Sequence, residues 1–387
     1  MNADAWFASS GKLGILGGGQ LGKMLLEEAI RMDIEAAVMD PDPHCACSGI
    51  TLKFEQGGLL DKEAILAFGR KCEVLTIEIE NVDASALKQL EEEGLKVYPP
   101  PAVLARIQDK GTQKLFYTEY DMPTAPYELF DSRDELRAAV EEAKWTLPFV
   151  WKARRGGYDG RGVQIVKKLS DLDELPDVPC FLEVLVAIKT EIACVGVRSS
   201  NGEVAVYPPV EMEFHPETNQ VEQTFVPSLA DPELIKEAEK YTHALLEQQE
   251  HVGLLAVEFL VDEQGALLLN EMAPRPHNSG HIFSDTSWTS QFEQHLRAVM
   301  GFPLGATDLR QPGVMINLVG DSEHEGPVAY QGAAKAMAAP GVYLHLYGKK
   351  TTRPNRKMGH VNIVAHSLGE ARSRARNLVQ HIKIKSQ

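Results

Sequence analysis

Apolar and polar positions follow two alternating periods along the first hundred residues. Short apolar runs predict buried strands at 12–16, 36–39, 74–79 and 96–98, and apolar positions three or four apart predict helices at 21–30, 64–71 and 84–93. Strands that alternate with helices pair in parallel through right-handed crossovers. This part therefore predicts a doubly wound parallel sheet, which ends at the three consecutive prolines of residues 99–101.

The middle of the chain has another pattern, in which strands follow one another directly. Helices predicted at 102–120 and 133–143 flank strands at 148–153, 163–166, 180–186, 191–198 and 203–207, and a helix at 231–248 precedes a hairpin at 254–271. Short turns such as Asn201-Gly202 are typical of antiparallel pairing. The last eighty residues mix short strands with a basic loop and a helix near 368–381. The fold class is therefore α/β followed by α+β.

The charge balance limits the partners of this fold. Against 55 Asp+Glu stand 39 Lys+Arg, a net charge of −16, whereas nucleic acids and anionic membranes select basic surfaces. No stretch approaches the ~18 apolar residues of a membrane helix, and the first residues do not resemble an export signal. The five scattered cysteines predict free thiols. We expect a cytoplasmic protein with small-molecule partners, no nucleic acid and no membrane.

A glycine-rich turn follows the first predicted strand. Residues 17–22, GGGQLG, contain G-x-G-x-x-G at a helix start, and Asp40 ends the next strand. This pattern allows a dinucleotide such as NAD, a phosphorylated substrate at the helix N-terminus, or simply a tight turn. Glu78 and Glu80 share one face at the carboxyl end of the predicted strand 74–79, where doubly wound sheets bind ligands. A solvated strand end is the alternative.

Two basic loops are candidate anion sites in this acidic chain. Residues 154–162, RRGGYDGRG, join two predicted strands, and their glycines and arginines suit a flap over a polyphosphate, although the spacing is not that of a P-loop. Lys152 precedes this loop and could reach a phosphate. Residues 349–357 hold five Lys or Arg. Solvated surface is the alternative for each.

The hairpin at 254–271 carries two carboxylates among apolar residues. If its turn is 262–265 and Val261 pairs with Ala266, Glu258 faces Leu269 and lies diagonally from Glu271, about 7–8 Å away at the backbone. Two carboxylates on one buried face repel each other, and Mg²⁺ relieves that repulsion, with Asn270 as a further oxygen ligand. The alternative is a face open to water.

Two further segments carry weaker signals. The loop at 273–281, APRPHNSGH, places Arg, His, Asn and Ser on a rigid Pro/Gly frame that suits a small oxyanion. Its histidines and asparagine could instead begin a zinc site, although no third ligand with suitable spacing is apparent. The strand at 181–186 and Glu191 could hold a base and a ribose, or form an ordinary strand with an exposed carboxylate.

Taken in this order, the motifs resemble those of the ATP-grasp superfamily, and within it the N5-carboxyaminoimidazole ribonucleotide synthetases. The segments GGYDGRG, NEMAPRPHNSGH and YGKKTTRPNRKMGH carry the resemblance, which extends from residue 14 to residue 362. It implies an N-terminal Rossmann-like domain at 1–101, an ATP-grasp domain at 102–305 with a flap-bearing part at about 120–190, and a C-terminal mixed domain at 306–387. Trp151 and Val184 depart from the family's usual residues.

The resemblance also implies residue roles. The ATP positions are Lys110, Lys152, Gly157, Tyr158, Asp159, Gly160, Arg161, Gly162, Val163, Glu183, Val184, Leu185, Val186, Glu191, His215, Asn270 and Glu271. The magnesium ligands are Glu258 and Glu271. The ribotide positions are Gln20, Leu21, Glu78, Glu80, Ser279, Lys349 and Arg356. The catalytic positions are Arg275, His277, Asn278, Lys349, Tyr158 and Asp159.

The activity implied is ATP- and bicarbonate-dependent carboxylation of 5-aminoimidazole ribonucleotide through carboxyphosphate, in purine synthesis. ATP and Mg²⁺ are the implied cofactors, and a homodimer is implied as well. Another ATP-grasp ligase, such as a formate-dependent glycinamide ribonucleotide transformylase, is the alternative within the superfamily. An NAD-dependent oxidoreductase leaves the paired carboxylates unexplained, and a regulator without catalysis leaves Lys152, Glu258 and Glu271 without a purpose.

Overall fold

The N-terminal part is the doubly wound parallel sheet that the sequence predicts. The computed structural model describes residues 12–51, 53–156, 162–214, 221–321 and 325–386. Its first elements are β1 (Lys12–Leu16), α1 (Gln20–Arg31), β2 (Glu35–Asp40), β3 (Phe54–Gln56), α2 (Lys62–Gly69), β4 (Val74–Ile77), α3 (Ala84–Glu92) and β5 (Lys96–Tyr98). The strands pair in parallel in the order β3-β2-β1-β4-β5. The carboxyl ends of β1 and β4 therefore lie side by side at the centre of the sheet.

Two helices replace the single helix predicted at 102–120. They are α4 (Pro101–Ile107) and α5 (Lys110–Glu119). The chain breaks between them because Asp109 caps α5, its side chain accepting hydrogen bonds from the backbone N–H groups of Gly111 and Thr112. This break places Lys110 in the first turn of a new helix.

A small antiparallel sheet follows α5. Its strands are β6 (Tyr127–Phe130), β7 (Phe149–Ala153), β8 (Val163–Val166) and β9 (Cys180–Val184), and the helix α6 (Arg133–Glu141) connects β6 to β7. The strand order is β6-β9-β7-β8, and α6 packs on the sheet through a core that includes Trp151. Residues 154–162 connect β7 to β8, so the glycine-rich loop begins at the edge of this small sheet.

A long antiparallel sheet forms the rest of the ATP-grasp part and continues beyond it. Its strands and helices up to residue 300 are β10 (Ile188–Arg198), β11 (Val204–Val206), β12 (Val210–Phe214), β13 (Val221–Val226), α7 (Pro232–Gln248), β14 (Gly253–Asp262), β15 (Leu267–Ala273), α8 (Phe283–Thr286) and α9 (Gln291–Met300). The later elements are β16 (Gly313–Val319), β17 (Gly326–Gln331), α10 (Ala333–Ala336), β18 (Val342–Leu346), β19 (Thr351–Thr352), β20 (Lys357–Val364), α11 (Leu368–Val379) and β21 (Lys383–Ser386).

The long sheet joins the last two predicted domains. Its strand order is β15-β14-β10-β12-β13-β16-β20-β18, with β11 on β10. Pairing of β13 with β16 crosses the boundary predicted at residue 305, and Phe225 of β13 packs in the same core as Val314 and Val361. Three C-terminal strands, β16, β18 and β20, therefore extend the ATP-grasp sheet. The other three, β17, β19 and β21, form a separate three-stranded sheet in the order β19-β17-β21.

Candidate functional site

Two carboxylates face each other across the hairpin β14–β15. Glu258 pairs directly with Glu271, so the diagonal placement predicted from the sequence is wrong. The turn is one residue longer than expected, because Val261 pairs with Leu267 rather than Ala266. That register alone would place Glu258 opposite Asn270, and a bulge at Asn270 moves the pairing one residue further. The two carboxylates consequently lie closer together than predicted.

The hairpin carboxylates have opposite electrostatic environments. Burial and the negative charge of Glu271 raise the pKa of Glu258. Lys110 donates a hydrogen bond to Glu271 and holds the pKa of that carboxyl below its usual value. Oxygen ligands of this kind suit a hard divalent cation, which would relieve the repulsion that raises the pKa of Glu258. Within the described ranges no three His, Cys, Asp or Glu side chains form a metal cage, so other oxygen ligands would have to complete the shell.

A third carboxylate shares this face of the sheet. On β10, Ala193 pairs with Glu258, and Glu191 lies two residues from Ala193 and therefore on the same face. Burial raises the pKa of Glu191 to about 7. Such a partly buried acceptor at the cleft suits a pair of sugar hydroxyls.

Three lysines bind carboxylates in this part of the structure, namely Lys110, Lys114 and Lys152. Only Lys110 and Lys152 were predicted from the sequence. Lys152 on β7 lies 2.6 Å from Glu183 of β9 and donates to the Asn270 side chain at 3.1 Å. Lys114 on α5 binds the other oxygen of Glu183. It was missed because a lysine in a helix normally indicates solvent. Its position four residues after Lys110, on the same helix face, was the available signal.

The glycine-rich turn is closed by the protein's own carboxylates. Gly18 N–H donates to Asp40 at 2.7 Å, and the N–H groups of Gly19 and Gly22 donate to Glu78 at 3.0 Å each. Glu78 is 8% exposed, and burial raises its pKa. The three donors form a tight turn in this structure, and a pyrophosphate or phosphate would have to displace both carboxylates to reach them.

The strand before Glu78 is shorter than predicted, and this separates the two glutamates. β4 ends at Ile77, so strand alternation does not extend to Glu78 and Glu80. Glu80 forms an ion pair with Arg275 at 2.7 Å. Burial lowers the pKa of Arg275, but Glu80, with smaller contributions from Glu78 and Glu271, more than offsets this and raises the pKa above its usual value. Glu78 also acts electrostatically on Arg275 and on Lys349, so both glutamates lie near basic residues of the candidate site.

The loop after β15 brings several predicted residues together. His277 lies 3.6 Å from Glu258, and its Nδ1 is hydrogen-bonded to the Ser279 hydroxyl at 2.9 Å. Within the described residues, Arg275 Nε and both amide atoms of Asn278 are buried without a hydrogen-bond partner. Unpaired buried donors are costly, and a small oxyanion would satisfy them.

The same loop is not a zinc site in the described residues. His281 accepts or donates a hydrogen bond with Gln291 through Nδ1, and its ring stacks on His360 with centroids 4.5 Å apart. Stacked rings do not direct their nitrogens at a common ion. His277 and His281 lie four residues apart in the sequence, but in the structure they do not form a pair of metal ligands.

The basic loop of residues 349–357 faces the glycine-rich turn. Lys349 Nζ donates to the side chain of Gln20 and to the carbonyl of Lys357, both at 2.7 Å. A cavity of about 460 Å³ lies here, and its lining residues include Gly19, Asp40, Lys349 and Arg356. Burial, and then the charge of Arg356, lower the pKa of Lys349 to about 8. The structure thus joins N- and C-terminal residues that are more than three hundred positions apart.

The glycine-rich loop is anchored at its first residue. Arg154 makes two hydrogen bonds to Asp109, at 2.9 and 2.8 Å, so this arginine is engaged with the cap of α5. Gly162 directly precedes β8, Val163 begins it, and Val184 ends β9, with Leu185 and Val186 directly after it. The predicted positions Gly157, Tyr158, Asp159, Gly160, Arg161 and His215 lie outside the described residues. No helix in the described ranges is long and apolar enough to cross a membrane.

Family profiles match consecutive parts of the chain. The ribonucleotide synthetase preATP-grasp domain matches residues 11–108, the ATP-grasp domain matches 115–292, and the phosphoribosylaminoimidazole carboxylase C-terminal domain matches 313–374. The order is the one expected from the motifs.

Similar proteins cover almost the whole chain. N5-carboxyaminoimidazole ribonucleotide synthase of Bacillus subtilis is 37% identical over 91% of this chain and 91% of its own length. Phosphoribosylaminoimidazole carboxylase of Ogataea methanolica is 36% identical over 94% of this chain and 68% of its own. The N5-carboxyaminoimidazole ribonucleotide synthetase of Thermotoga maritima superposes with a TM-score of 0.89 at 37% identity, covering 97% of this chain and all of that one.

A complex extends the structural comparison to ligands. N5-carboxyaminoimidazole synthase of Aspergillus clavatus, solved with ADP and 5-aminoimidazole ribonucleotide, superposes with a TM-score of 0.87 at 30% identity. The superposition covers 96% of this chain and 98% of that one.

Proposed function

This chain belongs to the N5-carboxyaminoimidazole ribonucleotide synthase family of ATP-grasp enzymes, and we propose from that premise how its residues divide the reaction. The reaction is the ATP- and bicarbonate-dependent carboxylation of 5-aminoimidazole ribonucleotide. A bicarbonate oxygen attacks the γ-phosphorus of ATP, ADP leaves, and carboxyphosphate forms. Carboxyphosphate breaks down to CO₂ and phosphate, and the exocyclic amine of the ribotide then attacks the CO₂ carbon and loses a proton.

The ATP side of the site lies between the small sheet and the long sheet. We assign Lys110 and Lys152 to the ATP phosphates and Val184–Val186 to the base, through their backbone. Glu191 is assigned to the rest of the nucleotide. The resemblance assigns residues 157–163 to the flap and His215 to the nucleotide as well. Lys110 and Lys152 already bind Glu271 and Asn270, the side chains at the phosphate end. Phosphoryl transfer needs positioning and charge neutralisation above all, which such a set of cations supplies.

Glu258 and Glu271 would hold Mg²⁺, with Asn270 beside them. Their fit to a divalent cation rests on the direct pairing across β14–β15 and on the raised pKa of Glu258. The ion supplies charge neutralisation of the ATP phosphates when it is bound. Glu271 also holds Lys110, so one carboxylate orients a phosphate-binding cation as well.

The ribotide side lies between the glycine-rich turn and the basic loop. We assign Lys349 and Arg356, which line the cavity of about 460 Å³, to the ribotide phosphate. Gln20, Leu21, Glu78, Glu80 and Ser279 are assigned to the rest of the ribotide. Arg275, His277 and Asn278 are assigned to bicarbonate and to CO₂. Exclusion of water there protects a labile acyl phosphate.

The observation that carries this proposal is a set of three contacts, two of which join residues of the N-terminal sheet domain to residues of the later domains. Glu258 lies 3.6 Å from His277, Arg275 binds Glu80 at 2.7 Å, and Lys349 binds Gln20 at 2.7 Å. A site that binds only a nucleotide would not need these contacts with the N-terminal sheet domain. The contacts therefore support a second substrate between the N-terminal domain and the later domains.

The test is the dependence of ADP release on each substrate. We expect ADP release from Mg-ATP to require both bicarbonate and 5-aminoimidazole ribonucleotide, measured with a coupled assay for ADP and with CO₂-depleted buffer as the control. ATP turnover that is indifferent to the ribotide would contradict the proposal. Formate-dependent turnover with glycinamide ribonucleotide would support the other ligase instead.

The proposal extends to the assembly and location that the resemblance implies. A homodimer is expected, which sedimentation of the purified enzyme would test against a monomer of 42.7 kDa. The cysteines are free thiols, and this fits the reducing cytoplasm.

A further inference from the structure

Lys114 is a buried lysine that has no role in the division of labour above. Its side chain is 2% exposed, and lysines are almost never buried to this extent unless they are paired. It lies one turn after Lys110 on α5 and points into the same cleft wall, since residues four apart share a helix face. A lysine kept in this position needs an explanation from its partners.

Its first partner is the carboxylate that also binds Lys152. Glu183 is 5% exposed and gives one oxygen to each lysine, Oε1 to Lys114 and Oε2 to Lys152. The three side chains carry one net positive charge. Both lysines lower the pKa of Glu183 against the effect of burial, so the carboxylate stays ionised and both contacts persist.

Its second partner lies on the other side of the cleft. Lys114 Nζ donates to the hydroxyl of Thr124 at 2.5 Å, and that hydroxyl donates to the carbonyl of Leu269 at 2.8 Å. Leu269 directly precedes Asn270, which accepts from Lys152. Lys114 therefore contacts both supports of Lys152, namely Glu183 of the small sheet and, through Thr124, the strand that carries Asn270 and Glu271.

We propose that Lys114 is a positioning residue for ATP binding. Lys114 occupies one oxygen of Glu183, so that Lys152 is only partly neutralised by this carboxylate and keeps a share of its charge for the triphosphate. Without Lys114, Glu183 and Lys152 form a neutral one-to-one pair, and Lys152 is withdrawn from the phosphates. This inference rests on the proposed function, in which Lys152 binds ATP phosphate.

The first test separates ATP from the ribotide. In Lys114→Met we expect the KM for ATP to rise by about tenfold or more, with the KM for the ribotide within about twofold of the parent. Direct ATP binding, measured by calorimetry without ribotide, should weaken by the same factor. Because this binding needs no carboxylation, a failure of the proposed function would appear in the parent enzyme and would be distinguishable.

A double-mutant cycle tests the route through Glu183. If Lys114 acts through that carboxylate, Lys114→Met should weaken ATP binding much less in the Glu183→Gln background than in the parent. Equal losses in the two backgrounds would overturn the proposal, because they would mean that Lys114 acts on ATP independently of Glu183.

Controls distinguish positioning from loss of stability. Leu245→Ala removes a buried side chain from the hydrophobic core on which α5, the helix of Lys114, packs. It should lower Tm without changing the KM for ATP. Lys88→Met removes an exposed lysine and should change neither. Lys114→Gln keeps a neutral donor for Glu183, so it serves if the Met variant does not fold. It should also raise the KM for ATP, because Glu183 then has one cation instead of two. A lower Tm with unchanged KM for ATP in the Lys114 variants would overturn the proposal.

Discussion

At the scale of single residues, the site is controlled by which carboxylates have a cation and which do not. Glu271 has Lys110, Glu183 has two lysines, and Glu80 has Arg275. Among the described residues, Glu258 has only a weak contact with His277, at 3.6 Å. Burying a charge without a close partner is unfavourable. Glu258 is therefore the position where a bound divalent cation would make the largest difference.

Glu271→Gln should reduce turnover by about 10³-fold or more, because it removes a proposed metal ligand's charge and leaves Lys110 without its anion. Steady-state ADP release over a range of Mg²⁺ concentrations would measure this loss. Glu263→Gln in the exposed turn of the same hairpin is the matched control and should be unaffected. Near-normal activity of Glu271→Gln would exclude the metal role.

Lys349 should give the ribotide KM a dependence on pH. Burial lowers the pKa of Lys349 to about 8, so this lysine is charged below pH 8 in the free enzyme and loses its charge above it. A phosphate monoester stays dianionic across this range, since its second pKa is about 6. We expect the ribotide KM to rise above pH 8 at saturating ATP. In Lys349→Arg the KM should stay flat up to about pH 9.5, and a parent enzyme with an equally flat profile would argue against the phosphate contact.

At the scale of elements, the sequence predicted the strands and helices better than the contacts between them. The first and last residues of β8 are those predicted from the sequence. The parallel sheet was predicted because its apolar runs are short and are separated by segments with helical periodicity. The register of β14–β15 was not predictable, because the bulge at Asn270 depends on packing that a period of two does not encode. The burial of Lys114 escaped for the same reason, since its partner Glu183 is 69 residues away.

The glycine-rich turn offers a test at this scale. A Cβ on Gly22 would lie 2.6 Å from the carbonyl oxygen of Gly17, a contact that backbone cannot relieve without shifting. Gly22→Ala should therefore lower the free energy of unfolding by about 2–4 kcal/mol and raise the ribotide KM, because the turn also carries Gln20. Urea unfolding would measure the first effect. Gly49→Ala, whose added Cβ meets nothing within 4 Å, is the control, and equal stability of the two variants would contradict this reading.

At the scale of the whole molecule, the shared sheet makes the ATP-grasp and C-terminal parts one structural unit. The motifs predicted three consecutive domains, and their boundaries remain predictions. The pairing of β13 with β16 could not be foreseen, because the strands are separated by almost ninety residues and their apolar patterns fit many partners. The core around Phe225 contains residues from both sides of this junction.

Phe225→Ala should show whether the two parts unfold together. The side chain is buried at the junction, with Arg372 of α11 over its ring, so its removal should cost about 3–5 kcal/mol. We expect far-UV circular dichroism and intrinsic tryptophan fluorescence to report one transition in both proteins, at a lower temperature in the variant. Tyr343→Ala, at a half-exposed position on β18, should change Tm little. Two resolved transitions in the parent would mean that the parts are independent.

The shared sheet also restricts which distances in the site can change. Glu258 and Glu271 lie on β14 and β15, and the loop with Lys349 and Arg356 connects β18 to β20 of the same sheet. Hydrogen-bonded strands fix the separation between these groups, whereas Lys152 and the glycine-rich loop belong to the small sheet. A single molecule that joins a nucleotide mimic to a ribotide mimic would meet a preset spacing, so a rigid linker of the right length should bind better than a flexible one.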